Sequence, residues 1–188
     1  MSFDRVMTLT SSPEIQDKID ISIYISKKSK WELAEIKSRW NEANLALKSC
    51  GVAIRHAYIH SWLPSKSLLR VDDYVSSKLF YDGLRHASVQ SKKVTPMQFF
   101  YFEDYLESFT SGPSIPLAIY PDSQLESVAF NTAWFPYQSA QRKKKKDSHY
   151  YNEEAHEMGH VLLKAGHDQT GDSNIMANNS ALREPRFK

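Results

Sequence analysis

The sequence predicts an α/β fold: a twisted, mostly parallel sheet with an antiparallel edge strand and backing helices. Three observations carry this expectation. An alternating β-branched run from Ile19 to Ile25 precedes an amphipathic segment from Lys30 to Lys48, and a second β-rich run from Val52 to Ile59 follows. Parallel neighbours need a crossover of this length, which is almost always right-handed. Two later apolar runs, Pro116 to Tyr120 and Ser127 to Trp134, are short and strand-like.

Each element has its own local warrant. Trp31, Leu33, Ile36, Trp40, Ala43 and Leu47 recur at helical spacing, and Cys50-Gly51 ends that helix, glycine supplying a left-handed cap. Cys50 is expected as a small buried residue near the helix end. Trp62 to Val94 reads as loops with one or two short elements. Thr95-Pro96-Met97-Gln98 has the composition of a helix start, which predicts a helix from Pro96 to Phe109 with Phe99, Phe102, Leu106 and Phe109 inward. Gly112-Pro113 stops it. Pro116 to Tyr120 reads as a short buried strand and Ser127 to Trp134 as another. Gln141 to Asp147 contains the basic run 142–146 and reads as a solvated loop, with a lip attracting acidic substrates as the functional alternative. Asp147 or Ser148 is expected to cap a last helix that carries Glu153 and Glu154 near its positive end.

Length and composition bound the rest. At 188 residues, 41% hydrophobic and 12% aromatic, residues 1–188 are expected to form one domain, with residues 1–18 open to being a flexible N-terminal extension. A net charge of +2 gives no case for nucleic-acid binding. Cys50 stands alone, which excludes disulfides and cysteine-rich zinc sites. No run approaches the ~18 apolar residues of a membrane span. No cleavable signal is visible, so a soluble monomer is expected, cytoplasmic or exported by a signal-independent route.

The chemistry concentrates in one segment, HEMGHVLLKAGHDQTGDSNIM, from His156 to Met176. His156 and His160 are four residues apart and project from one helix face, so both imidazoles can reach one zinc ion. Glu157, about 100° round the helix, can hold an attacking water. His167 follows Gly166, where the helix can stop and turn back, and is the candidate third ligand. Ala155, Gly159, Leu162 and Leu163 make an apolar face, which Met158 and Val161 extend. A helix so nearly enclosed would not bury two histidines and a glutamate without a partner. The other histidines, His56, His60, His86 and His149, read as structural or solvent-exposed.

This segment resembles the active-site signature of the metzincin metalloproteases, H-E-x-x-H-x-x-G-x-x-H followed by a turn containing methionine. The resemblance implies a zincin fold with an active-site helix and a methionine turn. It implies Zn2+ held by His156, His160 and His167, with Glu157 as general base. It also implies that Met176, in Ser173 to Ala177, is the hydrophobic floor of the site. In that family the antiparallel edge strand before the active-site helix pairs with an extended polypeptide substrate, and Val128 to Trp134 is the expected strand here. The pattern departs from the family in one respect. Six residues separate His160 from His167 instead of five, and Leu163 occupies the usual glycine position. Asp168 is therefore the alternative third ligand, ahead of Glu184. The expected activity is zinc-dependent endopeptidase. The alternative, a non-catalytic zinc-stabilised protein-binding domain, has no need of Glu157 beside an open coordination position.

Overall fold

A computed structural model describes residues 5–9, 15, 17–48, 50–63, 95–102, 117–119, 131–137 and 152–163. In chain order these form β1 (Arg5–Thr8), β2 (Asp17–Ser26), α1 (Leu33–Lys48), β3 (Val52–Trp62), β4 (Met97–Phe102), β5 (Leu117–Ile119), β6 (Thr132–Pro136) and α2 (Glu153–Leu163). The protein is mixed α/β, and the described residues form a six-stranded sheet in the order β1-β3-β2-β4-β6-β5. The four central strands are mutually parallel, while β1 and β5 run antiparallel at the two edges. No helix among the described residues is long and apolar enough to cross a membrane.

The β2–α1–β3 start matches the expectation. Ile21 and Ile23 of β2, Ile54, Ala57 and Ile59 of β3, and Ile36, Trp40, Ala43 and Leu47 of α1 share one core. That core continues through Phe99 and Tyr101 of β4 and Ala133 and Phe135 of β6 to Ala155, Met158 and Val161 of α2. Both helices therefore lie on the same sheet face. The alternate residues Tyr24, His60, Trp62, Phe100, Phe102 and Trp134 point to the other face and are also buried. There Phe100 stacks on Trp134 with centroids 4.1 Å apart, and Tyr24 stacks between Phe100 and His60.

Four expectations are corrected. Met97–Phe102 is a strand, although the start looked helical. Phe99-Phe100-Tyr101-Phe102 is buried on both faces, as a central parallel strand requires, and aromatic side chains favour that environment. The Thr95 hydroxyl does not cap a helix. It donates to the Met97 carbonyl at 2.7 Å and lies 3.0 Å from Ser22 Oγ of β2. Residues 5–8 and 17–18, left open as part of a flexible extension, belong to the sheet, because Arg5–Thr8 pairs with His56–Ile59. Val128 to Trp134 is not the edge strand: β6 begins at Thr132 and is hydrogen-bonded on both sides, by β4 and by β5. The antiparallel edge beside it is β5. Cys50 is exposed, because it lies in the turn after α1 with its N–H donating to the Leu47 carbonyl.

Two devices fix the register of this half of the sheet. β2 and β3 slip by one residue between Ile19, opposite Ile54, and Asp20, opposite His56, which leaves Arg55 as the additional residue of a bulge. Arg55 folds back on Asp20 through two hydrogen bonds of 3.0 and 2.9 Å. These bonds hold the Asp20 carboxyl below its usual range. Buried Asn44 of α1 accepts the Ile54 N–H at 2.8 Å, which ties the helix to β3 just before the bulge.

Gly51 closes α1 with φ +77°, the left-handed cap expected from sequence. A Cβ there would meet no atom within 4 Å, so only backbone strain opposes a side chain. Gly51→Ala should therefore cost about 1–2 kcal/mol, the usual penalty of a left-handed L-residue. Urea unfolding measures it, and an unchanged midpoint would contradict the account.

Candidate metal centre

Asn152 caps helix α2, whose first residue is Glu153; Asp147 and Ser148, expected as the cap, lie outside the described residues. Asn152 Oδ1 accepts the Ala155 N–H at 2.8 Å, and the first intrahelical bond runs from His156 N–H to the Asn152 carbonyl. The Asn152 amide also donates to the Arg39 carbonyl at 3.1 Å, so the cap is fastened to α1.

Arg39 is the centre of the contact between the two helices. The residue is only 4% exposed, and its guanidinium sits 5.1 Å from the centroid of the Trp31 ring. Around it stand Glu154 Oε1 at 3.3 Å, Glu35 Oε1 at 3.6 Å and Glu153 Oε2 at 3.7 Å. The Tyr101 hydroxyl of β4 donates to the same Glu154 oxygen at 3.2 Å. Burial pushes the Glu154 carboxyl up from its ordinary value; Arg39 opposes this and neighbouring Glu153 adds to it. Burial also pushes the Tyr101 hydroxyl well up, and Glu154 reinforces the effect.

From this anchored start, Ala155, Met158 and Val161 pack into the core while His156 and His160 project from another side. Leu163, expected in the apolar face, is exposed; it follows His156 by seven residues and so lies on the histidine side. His156, Glu157 and His160 are all buried. The two Nε2 atoms converge to 3.1 Å, with the rings nearly perpendicular at 87°.

That spacing tests whether the pair fits a metal. Two imidazole nitrogens bound tetrahedrally to zinc at 2.0–2.1 Å stand about 3.3 Å apart. The pair is therefore within a few tenths of an ångström of what a shared ion requires. The same separation suits one N–H···N hydrogen bond between neutral rings. Both states need Nε2, not Nδ1, to face the partner. The donor set of two imidazoles with an adjacent carboxylate suits zinc.

Among the described residues, no group of three or more His, Cys, Asp or Glu side chains is arranged to hold a metal ion. His167, Asp168 and Met176 lie outside the described residues, as do Glu184, the basic run 142–146, His86 and His149. His56 and His60 are both in β3, away from the pair: His56 lies 3.2 Å from Asp20, and His60 stacks on Tyr24. The anchoring residues Arg39 and Tyr101 carried no signal of a site role in the sequence. An arginine on the apolar side of α1, one residue before Trp40, is the one hint. No family model matches the chain, and no curated protein matches it either.

Replacing Arg39 by methionine would leave Glu153 and Glu154 buried without their cation. Removing one partner of a buried ionic group usually costs about 3–5 kcal/mol. Arg39→Met should lower stability by that order in chemical denaturation at neutral pH. A loss below 1 kcal/mol would show that the cluster is electrostatically slack.

Proposed function

We propose that this chain is a metzincin-like, zinc-dependent endopeptidase. The observation that carries the reading is the convergence of His156 and His160 Nε2 to 3.1 Å on a buried helix, with Glu157 beside them. One zinc ion would give the imidazole pair and the neighbouring carboxylate a joint task. Bound zinc would polarise the scissile carbonyl and lower the pKa of water.

The residues of the chain supply the rest. His156 and His160 would hold the ion through Nε2, and His167 is proposed as the third ligand, with Asp168 the alternative and Met176 the apolar floor. Glu157 lies beside the ligands without being one. In this reading it orients the attacking water, accepts its proton and passes that proton to the departing amine. Burial of Glu157 sharpens its interaction with nearby charge and limits competing water.

The substrate in this reading is an extended polypeptide. β5 lies against α2 and β6 and is, among the described residues, the antiparallel edge strand next to β6. An edge strand offers unpaired main-chain donors and acceptors to an added strand. The proposed substrate therefore runs along Leu117–Ile119, in place of the Val128 to Trp134 run.

Glu157→Gln should keep bound zinc while peptide turnover falls by about 10² to 10⁴, the usual worth of general-base catalysis. Zinc content by mass spectrometry and turnover of a mixed peptide library measure the two separately. Bound zinc without hydrolysis by the unaltered chain would favour the non-catalytic binding domain instead. A second comparison assigns the third ligand. His167→Ala should abolish tight zinc binding in a chelator titration, whereas Asp168→Ala should weaken it about tenfold to a hundredfold, as loss of a bracing contact does. The reverse order would make Asp168 the ligand.

A further inference from the structure

We infer that Tyr101 and Arg39 are positioning residues for the metal centre: by gripping Glu154 from the sheet and from α1, they set the rotation of α2 about its axis and hence the direction of His156 and His160. The inference rests on the metallopeptidase reading for its consequence in catalysis, but its geometry stands separately.

Both grips are themselves rigid. Tyr101 lies in β4 between Ile25 of β2 and Phe135 of β6, so the sheet fixes its backbone on both sides. Its ring stacks on Phe135 at 4.9 Å and meets the edge of Trp31 at 5.0 Å, which aims the hydroxyl at Glu154. Arg39 lies over the same indole, and the Trp31 N–H is held between the Phe102 and Phe135 carbonyls at 3.1 and 3.3 Å. The two donors meet one oxygen, Glu154 Oε1, from different directions.

Glu154 is well placed for this task. At 3.6 residues per turn it stands about 160° from His156 and about 120° from His160 around the helix. Tether and ligands are thus on opposed sides of one rod. The contacts of Ala155, Met158 and Val161 are apolar and non-directional, so they resist lifting of the helix more than rolling of it. Hydrogen bonds are directional and resist the roll. Side-chain ends lie about 5–6 Å from a helix axis, so a roll of about 10° moves an imidazole by about 1 Å. A shift of that size at a reacting centre can cost about 10² in rate.

Tyr101→Phe keeps the ring and removes the one hydroxyl. The metal-free protein should still unfold cooperatively, while the ring-nitrogen NMR signals of His156 and His160 shift. With zinc added, kcat on a model peptide should fall about tenfold to a hundredfold, with KM within about twofold. Glu154→Ala should shift the same ring signals, and Glu154→Gln, which keeps an acceptor oxygen, should return them towards the parent positions. Unmoved ring signals in folded Tyr101→Phe and Glu154→Ala would overturn the inference. Should Tyr101→Phe fail to fold, the two Glu154 variants decide it. Should the parent chain neither bind zinc nor cleave peptide, the functional reading falls, and the ring signals of the metal-free proteins still decide the positioning role.

Discussion

A buried guanidinium holds the two helices in their relation to the sheet. Arg39 brings a full positive charge to a place where water is almost excluded, and three carboxylates from α1 and α2 gather round it. Neither side of this cluster is tolerable alone, because an unpaired charge in such surroundings is costly. Burial pushes the Glu154 carboxyl up from its ordinary value, and the Arg39 charge opposes that shift. The aromatic support is equally specific, since Trp31 carries the cation on its face and binds two strand carbonyls through its edge. Lysine, with a compact ammonium in place of a planar fork, would not serve both sides at once.

The sheet makes this cluster possible by presenting a deep, two-sided wall. β4 is central, and its Phe99-Phe100-Tyr101-Phe102 run alternates between the helix face and an aromatic layer on the other side. Phe99 meets Trp40 edge to face at 4.6 Å, while Phe100 stacks between Tyr24 and Trp134. Such pairs add roughly 0.5–1.5 kcal/mol each beyond the area they bury. Tyr101 is the one member of the run whose polar end must find a partner, and it finds that partner on α2. Packing and site geometry therefore meet in a single residue.

How much of this was legible in the sequence depended on how local the signal was. The β2–α1–β3 unit could be read because each part has an internal period and a visible stop, down to the left-handed Gly51. The aligned histidines of α2 could be read because four residues make nearly one helical turn. The strand β4 could not be read in the same way. Phe99 and Phe102 fit a helix as well as a strand, and only neighbours on both sides make the strand correct. β6 was placed one strand too far out for a related reason, since pairing partners are a property of topology and not of composition. The cap at Asn152 was missed for Asp147 or Ser148 because all three are good capping residues. What selected Asn152 was a contact with Arg39, 113 positions earlier in the chain. Arg39 gave little sign of a site role, because Glu153 and Glu154, its partners on α2, lie more than a hundred residues away in the chain.

Helix α2 runs against the usual rule for a buried helix. From Glu153 to Val161 every residue is buried, yet five of the nine are Glu or His. Apolar burial alone does not explain such a helix, because each of these groups loses hydration as it enters. The five divide by position along the rod. Glu153 and Glu154, in the first turn, are met by Arg39, Tyr101 and the favourable end of the helix dipole. His156, Glu157 and His160 follow further along the rod, where the two imidazoles converge on each other. Natural proteins break local rules chiefly where function demands it. The first group of polar residues can be understood as the anchor that makes the second group tolerable: it fastens the helix by charge, so that the histidine side is free to be shaped by the chemistry proposed for it.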